Sequence, residues 1–118
     1  MTKIAVIVLA DTDGAEAWGR IGNALVTVRE ADEAGDDVEL IFDGAGTKWL
    51  RDMTEPDHKH HRLLAKLRHR ITGACAYCAR AYGVAEALEA AGLPLVDEYK
   101  KHPSIRTRVA AGYQIVTF

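Results

Sequence analysis

The sequence predicts a three-layer α/β/α sandwich around a mostly parallel sheet of about five strands. Three observations lead there. Short apolar, β-branched runs alternate with segments of helical period along the 118 residues. The connections between them are short. The first strand, the first helix and the second strand already form a βαβ unit, which is parallel and right-handed in nearly all folds.

The elements follow in order. Lys3 to Ala10 is a nearly continuous apolar run, as expected of a strand covered on both faces. Asp11-Thr12-Asp13-Gly14 supplies turn residues and helix caps. From Ala15 the period changes. Trp18, Ile21, Leu25 and Val28 recur at helical spacing, with Arg20, Arg29, Glu30, Asp32 and Glu33 largely on the other side. Gly35 ends this helix, and Val38 to Phe42 is the second strand. Asp43-Gly44-Ala45-Gly46 closes that strand, a short helix runs from Thr47 to about Met53, and Pro56 stops it. Asp57 is the expected cap of a helix whose apolar face is Leu63, Leu64 and Leu67. Ile71 to Cys75 reads as a third strand, and Val84, Ala87, Leu88 and Ala91 mark the next helix, stopped by Gly92. Leu95-Val96 is a short fourth strand. Pro103 is expected in the first turn of a last helix, with Ile105 and Val109 facing inward. Gly112 ends that helix, and Tyr113 to Phe118 is the final strand.

Composition narrows the function. Hydrophobic residues make up 48% and charged residues 27%, as in a globular fold. The length suits one domain, residues 1–118, and no repeat, linker or low-complexity segment divides it. A net charge of -2 argues against a nucleic-acid partner. Two Trp, four Tyr and two Phe offer little for base stacking. The longest apolar run, Ile4 to Ala10, is too short to cross a bilayer, so no membrane association is expected. The start, Met-Thr-Lys before a β-branched run, reads as lacking a signal peptide, which predicts a cytoplasmic protein.

Cys75 and Cys78 form a Cys-x-x-Cys pair where the third strand passes into a helix. In a cytosolic chain this spacing points to redox, sulfur or metal chemistry. Free amides at the helix start should favour a thiolate, and Arg80 lies close in sequence. By this argument Cys75 is the more reactive thiol. Parallel topology brings two more segments to the same rim, Asp11 to Gly14 and Asp43 to Gly46. Asp11, Thr12, Asp43, Gly44, Gly46 and Arg80 are therefore candidate ligand contacts. The glycine loop is no P-loop, since no Gly-Lys-Ser/Thr follows, and no dinucleotide motif follows the first strand.

The stretch Gly73-Ala74-Cys75-Ala76-Tyr77-Cys78-Ala79-Arg80-Ala81-Tyr82-Gly83-Val84 resembles the cysteine segment of DsrE/DsrF-like (YchN-like) proteins. There a cysteine follows a central strand, and a Gly-Val helix start comes eight residues later, as Gly83 does here. Several members carry a second cysteine at the position of Cys78. The likeness extends to the first strand, the Asp43–Gly46 turn and the closing Gly112–Phe118. One departure is Tyr82, where many members have Arg. The resemblance implies a sulfurtransferase-like carrier, with Cys75 holding sulfane sulfur as a persulfide and Cys78 resolving it, and with no cofactor. It also implies a homotrimer or homohexamer that meets a sulfur-donor or acceptor protein.

Two other readings stand beside the sulfur relay. One is a non-catalytic oligomeric module that binds a small anionic ligand. The other is a metal site of the two cysteines with histidines. His58, His60, His61 and His69 are the candidates there, in spacing that matches no known zinc finger, and no metal ligand set is assigned. If that segment is helical, His58 and His61 share a face. Asp11 and Asp13 read first as caps of the first helix. Trp18 and Trp49 read as core or interface anchors.

Overall fold

The computed structural model describes residues 2–118. Five parallel strands form one sheet: β1 (Lys3–Val8), β2 (Asp37–Phe42), β3 (Ile71–Cys75), β4 (Leu95–Val96) and β5 (Gln114–Thr117), in the order β4-β3-β2-β1-β5. Six helices connect them: α1 (Ala15–Glu33), α2 (Thr47–Met53), α3 (His61–Lys66), α4 (Ala76–Ala81), α5 (Ala85–Ala90) and α6 (Ile105–Ala110). The expected α/β/α sandwich is the observed one.

The strand order follows from handedness. Three successive crossovers step from β1 to β4 in one direction, so right-handed connections place α1 to α5 on one face. The connection from β4 to β5 returns past β1, which places α6 on the other face. The thick face holds the main core: Val6, Val8, Leu40 and Phe42 of the sheet pack with Ile21, Leu25 and Val28 of α1 and with Trp49, Leu50 and Met53 of α2. At about 25 cal/mol per Å² of apolar surface, each such side chain contributes roughly 1.5–3 kcal/mol. Ala5, Ile7 and Ile41 alternate to the thin face and are also fully buried.

The thin face differs from the expected one. Ile105 and Val109 of α6 are 46% and 57% exposed, and the inward residue is Arg108. Its guanidinium donates to Glu39 on β2 (3.0 Å) and to Glu98 (2.6 Å). Thr72 on β3 donates to the same Glu39 carboxylate (3.0 Å). A satisfied ion network therefore fills the space assigned to aliphatic side chains. Pro103 lies before the helix rather than in its first turn. Ser104 is the cap, accepting the Thr107 N–H (3.2 Å).

Two caps also differ. Gly14, not an aspartate, precedes α1 and makes no side-chain cap; Asp11 instead pairs with Lys48 on α2 (2.6 Å). Helix α3 begins at His61, and Asp57 lies in the turns before it, so it caps nothing. The helix expected after β3 is two short ones, α4 and α5, broken at Gly83 with φ 72°.

Candidate functional site

The site forms at the carboxyl ends of β2 and β3. Cys75 is both the last residue of β3 and the cap of α4, so its sulfur receives the Cys78 N–H (3.4 Å). That N–H is one of the free amides a helix start leaves unpaired. Cys78, one turn along α4, is half-buried, and both cysteines are free thiols. Asp43 directly follows β2 and is fixed by accepting the Gly44 N–H (2.8 Å).

The fourth group is His102, which the sequence reading missed. Its Nδ1 lies 3.2 Å from Cys75 Sγ. Tyr99-Lys100-Lys101-His102 is a tight turn closed at both ends: the His102 N–H donates to Tyr99 O (2.9 Å), and the Tyr99 N–H donates to His102 O (2.9 Å). Lys100 and Lys101 both have positive φ, 47° and 69°. A two-residue turn of this hand normally uses Asn-Gly. Each side chain held there costs roughly 1–2 kcal/mol. The turn is tied to the thiols, because Lys101 O accepts the Tyr77 N–H (2.9 Å) and faces Cys75 Sγ at 3.7 Å. The Tyr77 ring packs over the His102 ring, centroids 5.0 Å apart.

The donor atoms of Asp43, Cys75, Cys78 and His102 all lie within 4.8 Å of one another. Their electrostatics overturn one expectation. The amide at the helix start does favour the Cys75 thiolate, but burial outweighs it and pushes the thiol up to about 12. The nearby Asp43 carboxylate acts in the same direction as burial. Arg80 does not counter this. It is exposed and bends back to donate to Ala76 O (3.2 Å).

The other sequence candidates lie apart from this cluster. Asp11 accepts the Thr12 N–H (2.7 Å) and pairs with Lys48, which holds its carboxyl below the usual range. Gly44 opens a 3₁₀ turn. Gly46 is there for space, since a Cβ would stand 2.1 Å from Val8 O. The four histidines named with the cysteines are each engaged elsewhere. His58 stacks on Trp18 (5.4 Å), His60 lies against the same ring (6.0 Å), and His61 Nδ1 bonds Met53 O (2.8 Å). His69 pairs with Asp32 (2.8 Å). The turns before α3 thus bring His58 and His60 together, rather than His58 and His61. Trp49 is buried, whereas Trp18 is 40% exposed.

With this geometry, likeness to solved structures is informative. YchN of E. coli superposes with a TM-score of 0.59 at 16% identity, covering 100% of both chains. The chain has the fold of YchN. A conserved protein of unknown function from Bacteroides thetaiotaomicron superposes with a TM-score of 0.63 at 17% identity, covering 97% of this chain and 94% of the other. An uncharacterized protein of Methanocaldococcus jannaschii is 26% identical over 94 residues, 80% of this chain and 76% of that protein. No known family profile matches the chain. The YchN-like fold agrees with the DsrE/DsrF-like resemblance of the cysteine segment. No helix among the described residues is long and apolar enough to cross a membrane.

Proposed function

We propose that the protein is a sulfur carrier whose Cys75–Cys78 pair takes sulfane sulfur as a persulfide and passes it to an acceptor thiol. The observation that carries this reading is the pairing of two free thiols at the end of β3, with an imidazole 3.2 Å from the buried one. The YchN-like fold supports it. Exposure assigns the roles. Cys75 is 0% exposed and Cys78 is the more open thiol, so sulfur enters on Cys78 and Cys75 resolves. This reverses the order the family resemblance implies.

Loading is an exchange without net oxidation. The Cys78 thiolate attacks the outer sulfur of a donor persulfide, that S–S bond breaks, and the donor leaves as a thiolate. An acceptor thiolate then attacks the outer sulfur on Cys78, which leaves again as a thiolate. Alternatively, Cys75 gives its proton to His102 and attacks the inner sulfur. Hydrosulfide departs, and a Cys75–Cys78 disulfide remains for an external dithiol to reduce. The test is incubation with glutathione persulfide, read by intact-protein mass. Cys75→Ser should gain sulfur but form no internal disulfide, and Cys78→Ser should gain none. Loading of Cys78→Ser alone would reverse the roles, and a native chain that shows neither added sulfur nor an internal disulfide would end the reading.

A further inference from the structure

The four groups at the rim differ in chemistry but share one point in space. Two thiols, an imidazole and a carboxylate have donor atoms within 4.8 Å of one another. Tetrahedral zinc, with ligand bonds of about 2.0–2.3 Å, needs donors roughly 3.3–3.8 Å apart. The Cys75 Sγ–His102 Nδ1 pair, at 3.2 Å, is already close to that range. The remaining donors need to close by no more than about 1.5 Å on the same geometry. Each donor is carried by a different structural piece: Asp43 by the turn after β2, Cys75 by β3, Cys78 by α4 and His102 by the strained turn.

From this convergence we infer that Asp43, Cys75, Cys78 and His102 form a binding site for one thiophilic divalent cation of the zinc class. The donor set selects the cation. Two sulfurs and an imidazole suit zinc and its analogue cobalt, whereas magnesium and calcium need oxygen donors. Binding exchanges protons for metal, since each thiol proton is released as its sulfur bonds the cation. The contacts around the ligands already hold them. Gly44 N–H binds Asp43, Cys78 N–H binds Cys75, and the Tyr77 ring covers His102. Such outer contacts orient metal ligands. The strained Lys100-Lys101 turn also acquires a purpose, as it sets the imidazole against the sulfur.

This inference goes beyond the sulfur-carrier reading and does not depend on it. A bound cation engages both sulfurs and closes them to persulfides, so zinc would hold the site in a protected state. The test is anaerobic titration of the reduced, chelator-treated chain with Co²⁺, followed by visible absorption. The expected result is one equivalent bound, with thiolate-to-cobalt charge transfer and the intense d–d bands of a tetrahedral site, both lost on adding Zn²⁺. His102→Ala and Asp43→Ala should each weaken Co²⁺ binding by about tenfold or more. His58→Ala should leave it unchanged. Absence of charge transfer in the native chain overturns the site. So does charge transfer that ignores both substitutions, because two cysteines alone would then be holding the metal. Circular dichroism of each variant checks folding. His102→Gln and Asp43→Asn, which replace the same two donors and nearly keep volume, give the same decision if an alanine variant unfolds. Persulfide loading of the metal-free chain is a separate measurement, so failure of the carrier reading leaves this result intact, and the reverse.

Discussion

His102 Nδ1 sits 3.2 Å from Cys75 Sγ, and a turn with two lysines in the left-handed region holds it there. Lys101 contributes through its backbone: its carbonyl meets Tyr77 and Cys75. Lys101→Gly should therefore stabilise the fold by about 1 kcal/mol. It should leave His102 in place, since the Tyr99–His102 hydrogen bonds need no lysine side chain. Thermal melting reads the first effect, and an unchanged cobalt spectrum reads the second.

Alkylation should separate the two thiols. Cys75 is buried and held protonated, with its thiol pushed up to about 12, so iodoacetamide near neutral pH should label Cys78 first. In Cys78→Ser, labelling should be slow and should rise only toward strongly alkaline pH. Peptide mass spectrometry across a pH series checks both outcomes. Fast labelling of Cys75 at pH 7 would show that the site opens readily.

Arg108 should dominate the acid limb of stability. Its guanidinium holds the Glu98 carboxyl below its ordinary 4.5. A depressed carboxyl stabilises the fold above its unfolded pKa, and that contribution is lost as pH falls below 4.5 through the folded value. Arg108→Ala should flatten this limb. It should also cost about 2–4 kcal/mol at neutral pH, since Glu39 loses its cation. Urea denaturation at several pH values measures both.

Gly46→Ala should be among the most damaging single changes. Its φ is ordinary, -62°, so the cost is purely steric: the new methyl meets the Val8 carbonyl at 2.1 Å. That oxygen is backbone and also accepts the Asp43 N–H (2.9 Å), so it cannot move freely. A loss of more than about 2 kcal/mol is expected. Gly14→Ala is a contrast, because nothing lies within 4 Å and only its φ of 93° resists.

The homotrimer or homohexamer implied by the DsrE/DsrF-like resemblance has a place to start. Ile105 and Val109 stand one turn apart on the outer side of α6, both exposed. If they lie in an interface, the double change Ile105→Glu, Val109→Glu should lower the mass seen by light scattering while leaving the circular dichroism intact. A native chain that is monomeric at micromolar concentration would remove the oligomer reading.

The strands were legible because each is a short apolar run bounded by turn residues, and parallel pairing follows from the helices between them. The cysteine pair was legible because its spacing is local. His102 was not. It is distant from Cys75 in sequence and sits between lysine and proline in what reads as plain loop. One signal was available: the segment after β4 must leave the same rim of a parallel sheet as the ends of β2 and β3. Periodicity misassigned Ile105 and Val109, because the helix turns a cation inward and no hydrophobic pattern registers an ion pair. Segment 54–60 was misread for a related reason. The histidine spacing fits a helix, but Trp18 gathers His58 and His60 against its ring in a run of turns.

The position of β5 sets a condition on how the chain is made. Residues 3–96 contain four neighbouring strands and five of the six helices, and they can assemble as they leave the ribosome. Until Gln114–Thr117 emerge, Ile4–Ile7 of β1 lack their outer neighbour and present an open hydrogen-bonding edge. A polypeptide halted before residue 114 is thus primed to pair with its own copies. Strand β5 thus covers an edge of β1 that would otherwise be open to pairing.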